Sequence, residues 1–187
     1  MRGELNTNCP HGIFLPKYFF VTSGKAVSSE SPLNAFDLAL MDAKIDQCNI
    51  VSVSSIIPPD AKQIDPINIT PGTIVFAVLA RMDGASGETI GAGIAWAWGT
   101  RNGVDKYGVV AEAHGYKDKQ ALEKELKAKI QMMGKIRRLS FTDIYTKVES
   151  IDTIPKGKYG CVVSAFVYVP WSEKEGGRNV NPTSIKQ

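Results

Sequence analysis

The sequence predicts an α+β fold in which two β-sheets pack together and a helix covers each outer side. Three observations carry this. Several strand-like segments, Thr73–Met82 and Tyr159–Val169 above all, are apolar on both faces, as strands are when layers cover both sides. Only two segments read as substantial helices, one opening at Pro32 and one spanning Asp118–Lys135. The 187 residues suffice for one domain with a sizeable core. The whole chain therefore reads as a single four-layer α/β/β/α sandwich.

Taken in order, residues 1–12 are polar and broken by Gly3, Pro10 and Gly12, which predicts a loose arm. Phe19, Phe20 and Val21 predict a strand in the second half of Ile13–Thr22, and Ser23–Ser31 reads as a loop. Pro32-Leu33-Asn34 opens a helix with Asn34 as N-cap and Asp37 in the first turn. Its face of Phe36, Ala39, Leu40 and Ala43 points to the core, and it fades near Asp46. A strand follows from Asn49. Asp60–Pro71 reads as a loop, Thr73–Met82 as a doubly buried strand and Asp83–Gly87 as a turn.

Thr89–Trp98 alternates in size. Ile90, Ala92, Ile94, Trp96 and Trp98 share one face, and Gly91, Gly93, Ala95 and Ala97 the other; the small face lets another layer approach closely. Lys106–His114 is a further strand. In Asp118–Lys135, Leu122, Leu126, Ile130 and Met133 form an apolar stripe, with Glu123–Lys127 and Glu125–Lys129 as i,i+4 pairs. Thr142–Ile151 alternates like a half-exposed strand. Residues 171–187 read as a flexible tail.

A hydrophobic content of 43% with 22% charged residues marks an ordinary globular chain. A net charge of +3 is too small to argue for a nucleic-acid or membrane partner. The N-terminus Met1–Asn6 lacks an apolar signal core, and no apolar run reaches spanning length. Cys9, Cys48 and Cys161 are odd in number and scattered, which suggests a reducing cytoplasm rather than a disulfide framework. With His11 and His114 they make no metal-ligand spacing. No Gly-x-Ser-x-Gly elbow, dinucleotide fingerprint or pyridoxal-phosphate (PLP) signature is present.

The stretch that stands out is Asn49-Ile50-Val51-Ser52-Val53-Ser54-Ser55-Ile56-Ile57-Pro58-Pro59. It begins as a β-branched strand and ends in two prolines that cannot donate to a ladder. A plain strand gains little from two adjacent serines there. One chemistry needs them: the Ser55 hydroxyl attacks the Ser54 carbonyl carbon and turns the amide into an ester. β-Elimination then cuts the chain and leaves a dehydroalanine, and loss of ammonia converts that to a pyruvoyl group. Such a ketone captures an amine as a Schiff base and accepts its electrons.

Pro32-Leu33-Asn34-Ala35-Phe36-Asp37, Asn49, Ser54-Ser55-Ile56-Ile57-Pro58-Pro59, Gly87-Glu88-Thr89-Ile90 and Gly108-Val109-Val110-Ala111-Glu112 together resemble the pyruvoyl-dependent arginine decarboxylases. The resemblance runs from about Phe19 to about Tyr168. It implies the same four-layer sandwich, a homotrimer with sites between subunits, and self-cleavage between Ser54 and Ser55 into a β chain (1–54) and an α chain (55–187). It further implies a covalent pyruvoyl cofactor from Ser55, with no PLP and no metal, and L-arginine as the substrate converted to agmatine and carbon dioxide for polyamine synthesis.

The same resemblance implies site roles. Ser55 becomes the pyruvoyl group, and Asn49 assists processing by donating to the developing oxyanion. Asn49 and Ser54 are an odd number apart, so on one regular strand they face opposite ways. That requires a bend, a bulge or a neighbouring subunit. Glu112 is the implied proton donor, with burial among Val109, Val110 and Ala111 to raise its pKa; from spacing alone it reads as solvent-facing. Asp37 is the implied partner for a guanidinium, although the helix macrodipole alone favours an Asp at a helix start. Leu33, Asp46, Cys48 and Ser54 align with pocket-lining positions, and Asp46 departs from the family's small residue. The rival readings are a sister pyruvoyl decarboxylase acting on histidine, an N-terminal-nucleophile amidohydrolase, and an uncleaved binding or regulatory relative.

Overall fold

Two helices and two sheets make up the α+β fold in the computed structural model, which describes residues 14–169. The expected arm at 1–12 and tail at 171–187, with Cys9 and His11, lie outside the described residues. The elements are β1 (Tyr18–Ser28), α1 (Pro32–Asp42), β2 (Asn49–Ser52), β3 (Ile56–Ile57), β4 (Lys62–Gln63), β5 (Ile74–Ala85), β6 (Ile90–Arg101), β7 (Val104–Gly115), α2 (Lys119–Arg137), β8 (Ser140–Phe141), β9 (Tyr145–Ile151) and β10 (Tyr159–Val169). One sheet has the order β2-β5-β10-β1-β4. The other runs β3-β7-β6-β8, with β9 also pairing β6.

Three apolar clusters fix how these elements sit. Phe19, Val78 and Phe166 of the first sheet meet Ile57, Ile94, Trp96 and Val110 of the second. Phe20, Val75 and Val163, on the first sheet's opposite face, meet Ala35 and Ala39 of α1 and Ala43 just past its end. Ala95, Ala97, Val109 and Ala111, on the second sheet's opposite face, meet Leu122, Leu126 and Ile130 of α2. The size alternation along β6 is thus used as its pattern implies: large side chains enter the inter-sheet cluster and small ones face α2. A Cβ on Gly91 would lie 2.6 Å from Leu122 Cδ1, and one on Gly93 2.8 Å from Leu126 Cδ1.

Several local expectations give way to this packing. Ser23–Ser28 is strand, not loop, because β1 pairs with β10 along its whole length, from Tyr18↔Val169 to Ser28↔Tyr159. Each large side chain buried with that pairing is worth roughly 1.5–3 kcal/mol, more than the turn preference of a few polar residues. The α1 N-cap is Ser31, whose hydroxyl accepts from the Asn34 amide at 3.1 Å, with Pro32 starting the helix. Asn34 is therefore inside the helix, Asp37 lies past the first turn, and α1 ends at Asp42. Lys62–Gln63 forms a short parallel pair with β1 inside the expected loop. Asp83–Ala85 stays in β5, paired to β10. On α2, Glu125 and Lys129 pair at 3.0 Å.

Candidate active site

The two serines sit where the chain changes sheets. β2 runs parallel to β5 at one edge of the first sheet, and the Val53 amide extends that pairing by donating to Ala77 O at 3.0 Å. β3 then pairs with β7 at the edge of the second sheet, Ile56 opposite Val109. The Val110 amide continues that register by donating to Ser55 O at 3.0 Å. Pro58 and Pro59 stop β3 after two residues. The bend falls at Ser55, beyond the stretch from Asn49 to Ser54.

The crossover is clamped at both ends and free in the middle. Among the described residues no hydrogen bond reaches the amide, carbonyl or hydroxyl of Ser54, nor the amide or hydroxyl of Ser55. Ser54 is exposed and Ser55 half-buried, so the unit between the two anchors faces solvent rather than a ladder partner. It leaves Ser55 Oγ and the Ser54 carbonyl without a protein partner among the described residues. The residues present therefore fit formation of a pyruvoyl group at position 55.

An apolar cavity of about 710 Å³ lies against this turn, bordered by Val53, Ser54, Ile56, Pro58, Phe76 and Tyr168. Tyr168 is 6% exposed, and its hydroxyl donates to Ile56 O at 2.9 Å. Burial pushes that phenol up to about 12, so it stays a donor. Tyr168 escaped sequence reasoning because it is one more aromatic in a doubly apolar strand. Nothing local marks its hydroxyl as reaching the other sheet. A second hollow of about 620 Å³ at the C-terminal end of α2 is lined by none of the predicted site residues.

Glu112 lies two residues beyond Val110 on β7, roughly 7 Å along the strand from the residue that holds Ser55. Its side chain is on the same face as Val110. It is exposed, so the expected burial among Val109, Val110 and Ala111 is absent: those neighbours are buried but Glu112 is not. β3 covers only Gly108 and Val109 of that edge, which leaves Ala111–Gly115 without a strand on that side among the described residues.

None of the remaining predicted residues is hydrogen-bonded to Ser54 or Ser55, and none borders the cavity beside them. Asn49 begins β2, and its side-chain amide donates to Gly72 O at 3.1 Å. It stands roughly 16 Å of extended chain from Ser54. Asp37 is exposed on α1, and Leu33 is 71% exposed. Neither makes a hydrogen bond or ion pair with the serines. Asp46 is half-buried. Cys48 donates to Ile45 O at 3.1 Å; burial, and behind it the Asp46 carboxylate, push its thiol up, away from the thiolate that a nucleophile needs.

Comparison with known proteins adds a family. The model of the family described as pyruvoyl-dependent arginine decarboxylase matches residues 18–173. A protein of Methanosarcina acetivorans named pyruvoyl-dependent arginine decarboxylase 2 is 38% identical over 117 residues, which cover 59% of this chain and 62% of that protein. One of Methanopyrus kandleri, named pyruvoyl-dependent arginine decarboxylase, is 29% identical over 154 residues, 82% of this chain and 97% of that protein. A third, of Chlorobium phaeovibrioides and named probable pyruvoyl-dependent arginine decarboxylase, is 47% identical over 72 residues, 36% of this chain and 39% of that protein. The chain thus spans just under two thirds of the Methanosarcina relative.

Proposed function

This chain belongs to the pyruvoyl-dependent arginine decarboxylase family, and from that premise we propose that it cuts itself between Ser54 and Ser55 and decarboxylates L-arginine to agmatine. The observation that carries the proposal is the free Ser54–Ser55 peptide unit between two anchored flanks. Ser55 Oγ attacks the Ser54 carbonyl carbon; the C–N bond breaks, and an ester and a free amine form. The Cα proton of residue 55 is then lost as its Cβ–Oγ bond breaks, and Ser54 leaves as a carboxylate. Addition of one water and departure of one ammonia leave the pyruvoyl ketone at residue 55. Once formed, that group supplies the electrophile that captures the substrate amine and the sink for the electrons released with carbon dioxide.

The chain's own residues have narrower tasks. Glu112 gives a proton to the carbon that has lost its carboxylate. Asp37 accepts the substrate guanidinium through two hydrogen bonds, and Leu33, Asp46, Cys48 and Ser54 complete the pocket. Asn49 donates to the oxyanion during processing. These groups converge only if copies of the chain share a site, as in a homotrimer. Support for sharing comes from the distance of Asn49 from Ser54, the exposure of Glu112 and Asp37, and the exposed apolar side chains Leu33, Leu38 and Met41 on α1. A covering subunit would also supply the burial that a proton-donating glutamate needs. The layering proposed is α/β/β/α, which the three apolar clusters support. The setting proposed is the cytoplasm; no helix among the described residues is long and apolar enough to cross a membrane.

Denaturing mass spectrometry of purified, active protein tests the proposal. Two fragments are expected, the larger one lighter by one ammonia than its serine-ended counterpart and reactive towards hydrazine. Active material that is a single unbroken chain ends the proposal, and a larger fragment that keeps its serine amine redirects it to an N-terminal-nucleophile hydrolase.

A further inference from the structure

Resting on that reading, we infer that Tyr168 is a positioning residue that holds position 55 in place from the opposite sheet. Tyr168 belongs to β10, in the middle of the first sheet, whereas Ile56 belongs to β3 in the second. The bond from Tyr168 Oη to Ile56 O, 2.9 Å, is therefore a tie between sheets, made one residue after the scissile peptide. The ring that carries it cannot wander: it sits in the inter-sheet cluster, edge-on to Phe166 with centroids 5.1 Å apart.

Two carbonyls in a row are thereby fixed. Ser55 O is held by the Val110 amide and Ile56 O by the Tyr168 hydroxyl. The planes of both peptide groups that follow residue 55 are set, and only rotations at Ser54 and Ser55 remain to bring Ser55 Oγ onto the Ser54 carbonyl carbon. After cleavage the tie bears more. Residue 55 has then lost its covalent link to Ser54, and a chain end held by a two-residue strand frays unless its carbonyls are anchored. The same bond that aligns the serine before cleavage keeps the new terminus aimed at substrate afterwards.

Tyr168→Phe removes the hydroxyl and keeps the ring. The loss of one hydrogen bond predicts a slowing of about three- to tenfold in self-cleavage, and a similar fall in kcat per cleaved site with KM for arginine nearly unchanged. Val162→Ala, in the same cluster, is the control for mere loss of packing: it should lower Tm while cleavage and kcat per cleaved site stay at the wild-type level. Installing 3,5-difluorotyrosine at position 168 keeps the fold and strengthens the donor. Cleavage at mildly acidic pH, where that phenol stays protonated, should not fall below the wild-type rate. Wild-type cleavage with Tyr168→Phe indistinguishable from it, or Val162→Ala slowed as much as Tyr168→Phe, overturns the role of Tyr168 alone. An uncut wild-type chain overturns the reading beneath it.

Discussion

Strand β10 and the Val53–Ser55 turn stand at opposite extremes of restraint. From Tyr159 to Tyr168, β10 pairs with β1 on one side and β5 on the other, and its faces feed two apolar clusters. The turn has an anchor at each end and none between. Both carry serine beside valine, but one of eleven residues in β10 is serine against two of three in the turn. Position separates them as well: one strand lies in the middle of a sheet, and the other stretch bridges two sheet edges. The self-cleavage proposed above would break no ladder bond at such a bridge.

Four variants sharpen that contrast, from the largest effect to the smallest. Ser55→Ala should leave one uncut chain and no detectable activity, with Tm unchanged; gel electrophoresis after long incubation reads it, and two fragments would contradict the assignment. Glu112→Gln should cleave normally yet lose about 10²–10⁴-fold in decarboxylation, measured as carbon dioxide released per cleaved site. Gly24→Ala acts on the frame instead. Its Cβ would run into the Ala39 carbonyl oxygen of α1, so overpacking should cost about 1–3 kcal/mol, seen as a Tm fall of several degrees, while cleavage per folded molecule is unaffected.

The smallest effect belongs to Glu149, which Lys25 and Lys119 each approach at 3.0 Å. Burial pushes its carboxyl up, but hydrogen bonds from Lys119 and Lys25 and from the Ser150 amide outweigh it and hold the group below its ordinary range. A depressed carboxyl stabilises the fold fully above the unfolded glutamate value, about 4.3, and the contribution is lost as pH falls through the lower folded value. Replacing both lysines with Met should cost up to about 1 kcal/mol at neutral pH. The variant and wild type should converge in stability in acid; a difference that persists there would remove the ion pairs as its cause.

How much of this was legible follows the physics of each signal. The apolar stripe of α2 and the size alternation of β6 are local and periodic, and both led to the right faces. Ser23–Ser28 was misread because its strand is made by a partner far along the chain, and the Asn34 cap because Ser31 competes for the same role. The Ser54–Ser55 pair was visible as an oddity of composition. That it straddles two sheets was not, since nothing in ten residues says which edge each half will join.

The sequence alone determined the periods, the pair of hydroxyls and the prolines that end their strand, because each depends on residues within a few positions of one another. The tertiary structure alone decided that the pair is left unbonded between anchors, that Glu112 shares its edge, and that a phenol from β10 reaches Ile56. Each of these joins residues distant in sequence, and only the packing of one sheet against the other determines which of them meet.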